Sequence, residues 1–456
     1  MTCGLQRILF FISIIFVQFN MGSKSSAGER QLTHAAHGHI LTNTAVWSPD
    51  SKWIVYDVRS DAAGDKFDGT RIERVNVETR QVEVLYESKH GARCGVATYS
   101  TSRDRVVFIH GPENPNDDWQ YTAYHRRGVT VDSDALGVAT NLDARNIVAP
   151  YTPGALRGGT HVHTFSGDGN WVAFTYEDHI LAAEHPNADL NQRNVGVSAP
   201  LRSIVVPKTH SRNHDGSHFT VLVTRTWDKP TPGSDEICRA FSDAWIGSNG
   251  YLREDGTRQE KAIAFQGHVV TKDGDTIAEA YLVDIPNDVT FPSTDGPLEG
   301  TITRRPVPPR GTKQRRLTFT ASRKFPGLQG VRHWLRSSPD GSQIAFLMKD
   351  ESGVVQIWTV PPTGGEPTQI TTNPHDISSA FSWDPTGRLI SHSMDESLCV
   401  TEVDTKKTLR LTARDSSHPI RPEACVFSPD GNHIAYIRQV ISGNDTWNQV
   451  FIANME

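Results

Sequence analysis

Short apolar runs separated by tight polar turns recur along most of the chain. The repeating unit is an aromatic or apolar residue, then Ser-Pro-Asp-Gly or a variant, then a brief strand-like run. Trp47-Ser48-Pro49-Asp50-Ser51-Lys52-Trp53-Ile54-Val55-Tyr56 is the first copy. Phe165-Ser166-Gly167-Asp168-Gly169 precedes Trp171-Val172-Ala173-Phe174, and Ser338-Pro339-Asp340-Gly341 precedes Ile344-Ala345-Phe346. Asp384-Pro385-Thr386-Gly387 stands before Leu389-Ile390, and Phe427-Ser428-Pro429-Asp430-Gly431 before Ile434-Ala435-Tyr436. A degenerate copy, Tyr99-Ser100-Thr101-Ser102-Arg103-Asp104, leads into Val106-Val107-Phe108. Pro presets one turn dihedral, Asp and Ser bond back to the backbone and Gly takes the left-handed position, so each copy predicts a hairpin. Gln356-Ile357-Trp358-Thr359-Val360 and Thr368-Gln369-Ile370-Thr371 supply a third and a fourth strand. Four antiparallel strands in about 40–50 residues are the pattern of a propeller blade. The prediction is an all-β fold, a single β-propeller of about seven four-stranded blades, with six as the alternative.

Two regions modify this rhythm. The last copy runs out after Gln449-Val450-Phe451-Ile452, while Arg30-Gln31-Leu32-Thr33 is similar to Arg316-Leu317-Thr318 and Arg410-Leu411-Thr412. The N-terminal strand is therefore expected to complete the last blade and close the ring, leaving no open sheet edge. Between 206 and 317 the spacing is too long for plain loops. There the stretch from Ser234 to Gly247 predicts a helical insertion, within about 225–275, in one irregular blade. Ser234 is its N-cap, Ile237, Phe241 and Trp245 form an apolar stripe, and Gly247 stops it. Ahead of all this, Arg7, an apolar run over 8–19 and Ser25-Ser26-Ala27 predict a signal peptide over 1–27 and a propeller domain over 28–456. That run is too short for stable membrane insertion. A periplasmic or secreted location follows; translation from Met21 would instead leave the protein in the cytoplasm.

Composition narrows the function classes. The net charge of -6 argues against a nucleic-acid partner, whereas histidine is plentiful at 19 residues. Cys94, Cys238, Cys399 and Cys425 are far apart with no CxxC, which predicts mostly buried free thiols. No GxSxG elbow, P-loop or dinucleotide fingerprint is present.

Candidate chemistry centres on Arg157-Gly158-Gly159-Thr160-His161-Val162-His163-Thr164-Phe165. In an extended strand His161 and His163 would share one face and could reach one ion or one anionic ligand; the bland alternative is a solvated polar strand. Aligning the blades on the aromatic before the turn places Asn43, Gly95, His161, His333, Ser379 and Glu423 at one height of the channel. His161, His163, His333 and Glu423 thus form a candidate divalent-metal set, with water-filled polar channel residues as the alternative. His110-Gly111-Pro112-Glu113-Asn114-Pro115 follows a predicted strand, and Arg126-Arg127 suits carboxylate or sulfate groups; a turn and a solvated strand edge are the plain readings of these two.

Over nearly the whole mature chain the sequence resembles the YidR-like family of TolB-like propellers. The residues that carry this are Leu41-Thr42-Asn43-Thr44, Phe108 to Pro115, His125-Arg126-Arg127-Gly128-Val129, Ala149-Pro150-Tyr151-Thr152-Pro153-Gly154 and Pro232-Gly233-Ser234-Asp235-Glu236-Ile237. More distantly, Thr160-His161-Val162-His163-Thr164-Phe165-Ser166 and Arg332-His333-Trp334 resemble metal-binding segments of oligogalacturonate lyases, seven-bladed manganese-dependent propellers that cleave uronate oligomers by β-elimination. That family's glutamine ligand falls on Gly158 and its histidine base on Gly95, and the His333 blade follows the HxH blade rather than preceding it. The resemblance implies a metal-dependent enzyme, with manganese as cofactor, acting on an acidic oligosaccharide or small sugar acid. On this reading His161, His163, His333 and Glu423 hold the metal, His110 and Arg126 serve catalysis, and Arg127, Arg157 and Asn43 bind substrate. The competing expectation is a non-catalytic TolB-like scaffold that binds a protein or glycan at the channel mouth. Metal content and a base beside it separate the two.

Overall fold

The computed structural model describes residues 28–61, 64–185, 190–331 and 334–455. The leader expected over 1–27 and the ligand expected at His333 lie outside them.

The turn chemistry explains why the repeats fold as they do. The Ser48 hydroxyl donates to Asp50 at 2.7 Å and accepts from the Trp53 amide at 2.9 Å, which locks the hairpin. Ser338 repeats the arrangement with Asp340 and the Gln343 amide, and Ser428 repeats it with Asp430 and the His433 amide. Where serine is replaced, Asp384 itself accepts from the Leu389 amide at 2.7 Å.

These hairpins grow into seven four-stranded sheets arranged as a seven-bladed β-propeller. The innermost strands of the first four blades are Gly38–Ile40, Cys94–Tyr99, Gly158–Phe165 and Ile237–Trp245. Those of the last three are Arg336–Ser337, Ser382–Trp383 and Ile420–Phe427. Glu29–Gln31 pairs antiparallel with Asp445–Asn454 as the outermost strand of the seventh sheet. Apolar side chains fill the spaces between blades: Ile72, Tyr99 and Phe108 between the first and second, Ile357, Phe381 and Ile390 between the fifth and sixth, Trp47, Val426 and Ile437 between the seventh and first. Indole N–H groups tie the blades further. Trp47 donates to Val426 O at 2.9 Å, Trp245 to Thr164 O at 3.0 Å and Trp383 to Arg336 O at 3.0 Å.

The helix expected from Ser234 to Gly247 is a strand. Ile237–Trp245 is the inner strand of the fourth blade and pairs with Ala262–Val270. Spacing by four satisfies a strand's period of two as well as a helix's, so the stripe did not discriminate. The irregularity of this blade is instead the excursion 285–312 before its outer strand Lys313–Arg316. Among the described residues the one α-helix is His179–Glu184, capped by Asp178, and no helix is long and apolar enough to cross a membrane. Cys94, Cys238, Cys399 and Cys425 are free thiols.

Candidate functional site

In three successive blades the inner strand carries an extra residue just beyond the same height. The ladder shifts between Gly95 and Thr98, between His161 and Thr164, and between Phe241 and Ala244, with Val96, Val162 and Ser242 at φ of 58°, 55° and 55°. A bulge of this kind re-aims the side chains that follow it. In the third blade His161 opposes Thr175, and the next paired residue, Thr164, opposes Ala173. Val162 and His163 therefore share the place opposite Phe174, on the other face of the sheet from His161 and Thr175. The His163 ring packs 6.1 Å from Phe174, and its Nε2 lies 3.0 Å from the Thr160 hydroxyl. A Cβ at Gly128 of the second blade would come within 2.6 Å of that nitrogen. The expected sharing of one face by His161 and His163 is thus corrected by the bulge. His163 sits between the second and third blades, while His161 turns towards the fourth.

Burial keeps both rings neutral. His163 is pushed down to about 3 by burial and then by the Arg126 charge. His161 is held well below its ordinary value by burial, Arg126 and Arg193, and its Nδ1 is buried without a partner. Arg126, half-buried, lies 5.0 Å from the Tyr121 ring and has an unpartnered Nε. Tyr121 stacks on Phe67 at 4.8 Å; burial raises its hydroxyl to about 12 against the pull of Arg126 and Arg59. Asp57, fully buried and bonded to Arg59 at 2.6 Å, is shifted upward by burial. A Cβ at Gly95 would meet Asp57 Oδ2 at 2.6 Å and Phe67 at 2.9 Å. The first blade therefore fills the place where the lyase resemblance puts a histidine base. Arg126, whose charge acts on both Tyr121 and His161, joins them in one cluster, and Asp57, Arg59 and Phe67 lie behind Tyr121; Tyr121, Asp57 and Arg59 carried no sequence pattern of their own.

The remaining expected site residues lie elsewhere. His110 is fully buried, with Nδ1 2.7 Å from the Gly111 carbonyl and Nε2 2.9 Å from the Tyr86 hydroxyl, and burial lowers it to about 4. Both nitrogens are engaged, so this ring is not presented as a base. Arg157 is also buried. It pairs with Asp178 at 2.8 Å and donates to the carbonyls of Thr301 and Arg304, which fastens the excursion 285–312 to the third blade. That placement leaves no guanidinium edge for substrate. Arg127 turns away from Arg126 to pair with Glu113 at 2.9 Å. Glu423 is paired with Arg421 at 2.9 Å. Asn43 accepts from Arg336 through its side chain and its carbonyl. Asn43 and Arg336 belong to the first and fifth blades, which are not neighbours in a ring of seven, so the Arg336 side chain crosses the channel. Asp243 of the fourth blade faces it, raised by burial to about 6.

Among the described residues no three His, Cys, Asp or Glu side chains converge on a point where a cation could sit. The bulge parts His161 from His163, and Glu423 is paired with Arg421 at 2.9 Å, while the fourth expected ligand, His333, lies outside the described residues.

The propeller ring is shared with solved oligogalacturonate lyases. The structure of an oligogalacturonate lyase in complex with manganese superposes with a TM-score of 0.56 at 12% identity, covering 95% of this chain and 94% of that one. A second oligogalacturonate lyase, from Vibrio parahaemolyticus, gives 0.53 at 12% identity with 95% of each chain covered. Identity this low establishes a shared fold alone. Residues 93–214 match a family model described as a protein of unknown function, DUF3748. The uncharacterized protein YidR of Escherichia coli (strain K12) is 45% identical over 421 residues, 92% of this chain and 96% of its own length. The chain belongs to the YidR family.

Proposed function

We propose that the channel mouth binds the carboxylate of a uronate-type saccharide and promotes β-elimination there. Arg126 carries the reading: a half-buried guanidinium with a free Nε, beside a neutral imidazole and a buried phenol, is suited to hold a carboxylate and the charge that spreads onto it as the adjacent C–H is broken. His161, neutral at pH 7, accepts that proton. The electron pair becomes the new C=C bond and the C–O bond to the next sugar breaks. The leaving oxygen takes its proton from the Tyr121 hydroxyl. The lyase fold supports the substrate class.

The test is incubation with galacturonate oligomers, with and without added Mn²⁺, following ultraviolet absorbance of the unsaturated product. Arg126→Gln and His161→Asn are each expected to lower kcat/KM by about 100-fold or more. A folded wild type that yields no unsaturated product under either condition overturns the proposal.

A further inference from the structure

Arg127 opens onto a cavity of about 300 Å³ between the second-blade connection 112–126 and the third-blade loop 211–214. Three guanidiniums, those of Arg127, Arg145 and Arg212, line it together with His214 and Trp119. Arg145 is almost fully buried and is fixed by the carbonyls of Gly158, His125 and Arg126. Arg212 is fixed by the carbonyls of Glu113 and Asn114 at 2.6 and 2.9 Å. Trp119 holds both in place, their guanidinium carbons lying 5.7 and 5.6 Å from its ring. Two carboxylates face the three charges: Glu113, on Arg127, and buried Asp143, which accepts from the Gly128 amide at 2.8 Å. Positive charge is left over. Burial and mutual repulsion hold Arg145 down to about 10 and shift Arg212 and His214 downward as well.

Two buried atoms of lining residues have no hydrogen-bond partner. Arg127 Nε is a donor without an acceptor, and His214 Nε2 has none either. His214 Nδ1 lies 3.2 Å from the Asp215 carbonyl, so it holds the ring proton and Nε2 is a lone-pair acceptor. Arginine donors beside one such acceptor match an oxyanion that carries a neighbouring hydroxyl.

We infer that this cavity is a second anion site, separate from the channel mouth, that takes a hydroxyl-bearing oxyanion such as hydrogen phosphate or an α-hydroxycarboxylate. Glu113 occupies part of it from within and yields Arg127 to the ligand. The inference does not depend on lyase activity at the mouth.

Calorimetric titration of the full-length protein at pH 7 with inorganic phosphate, galacturonate and inorganic sulfate tests it. Saturable binding of phosphate or galacturonate is expected, weakened roughly tenfold or more by Arg127→Gln and by Arg212→Gln. Arg126→Gln leaves the phosphate affinity unchanged. Glu113→Gln, a conservative change at a half-buried position, tightens it several-fold because a competing carboxylate is removed. No saturable heat with any probe, or equal affinities in wild type, Arg127→Gln and Glu113→Gln, overturns the site. Sulfate binding as tightly as phosphate overturns the role given to His214.

Discussion

Removing the Arg157 guanidinium would leave the Asp178 carboxylate buried with the Tyr176 hydroxyl and the Leu181 amide as partners. Both charged side chains are 1% exposed, so the loss is that of a buried pair, about 3–5 kcal/mol. Arg157→Leu is expected to lower the urea midpoint accordingly, and Arg157→Leu with Asp178→Leu to recover part of it; a single variant as stable as wild type would refute the clamp. The sequence cannot separate such an arginine from a ligand-binding one, because only tertiary packing brings Asp178 and two distant carbonyls to it. Arg126 and Arg127 make the same point. Read together they are one basic patch, yet the chain turns one to the channel and the other to the cavity.

At the scale of the strand, the repeat turns were legible because serine, aspartate and the returning amide close their bonds within a few residues. Bulges were not. Val162 adopts a left-handed φ with a β-branched side chain, which no local preference announces and which costs about 1–2 kcal/mol. Glycine there relieves the strain while losing a half-buried side chain. Val162→Gly is therefore expected to alter stability by no more than about 1 kcal/mol. The same change at Val172, fully buried in the neighbouring regular strand, removes core packing and should cost about 3 kcal/mol or more. Thermal unfolding of the two variants compares them, and equal losses would remove the argument that Val162 is strained. The misread helix at Ile237–Trp245 has the related cause that a bulged strand blurs its own alternation.

For the whole molecule, buried neutral histidines set the response to acid. His39 and His163 are lowered to about 3, and His110, His125, His179, His218 and His392 to about 4. His161 and His214 lie well below the ordinary value. All are lowered chiefly by burial. Their unfolded forms protonate near pH 6.5 while the folded forms do not, so the stability they contribute is present above that pH and lost as pH falls below it. Each such group removes about 1.4 kcal/mol per pH unit in that window. Asp57, Asp143 and Asp243 are shifted upward and act in the opposite sense, but they are fewer. The midpoint of urea unfolding is expected to be level from pH 8 to about 7 and to fall steeply towards pH 5. A midpoint that stays level down to pH 5 would mean that these rings are hydrated in the native state.

The Arg336 side chain, laid from the fifth blade to Asn43 of the first, turns the channel into a blind well. A polymer cannot be threaded through a well. Any oligosaccharide handled at the mouth must present a terminus or lie across the rim, and what enters has to leave by the same opening. Turnover on long substrates would then be governed by how quickly an end is vacated, and shortening would proceed stepwise from one extremity rather than by cuts at random along the chain.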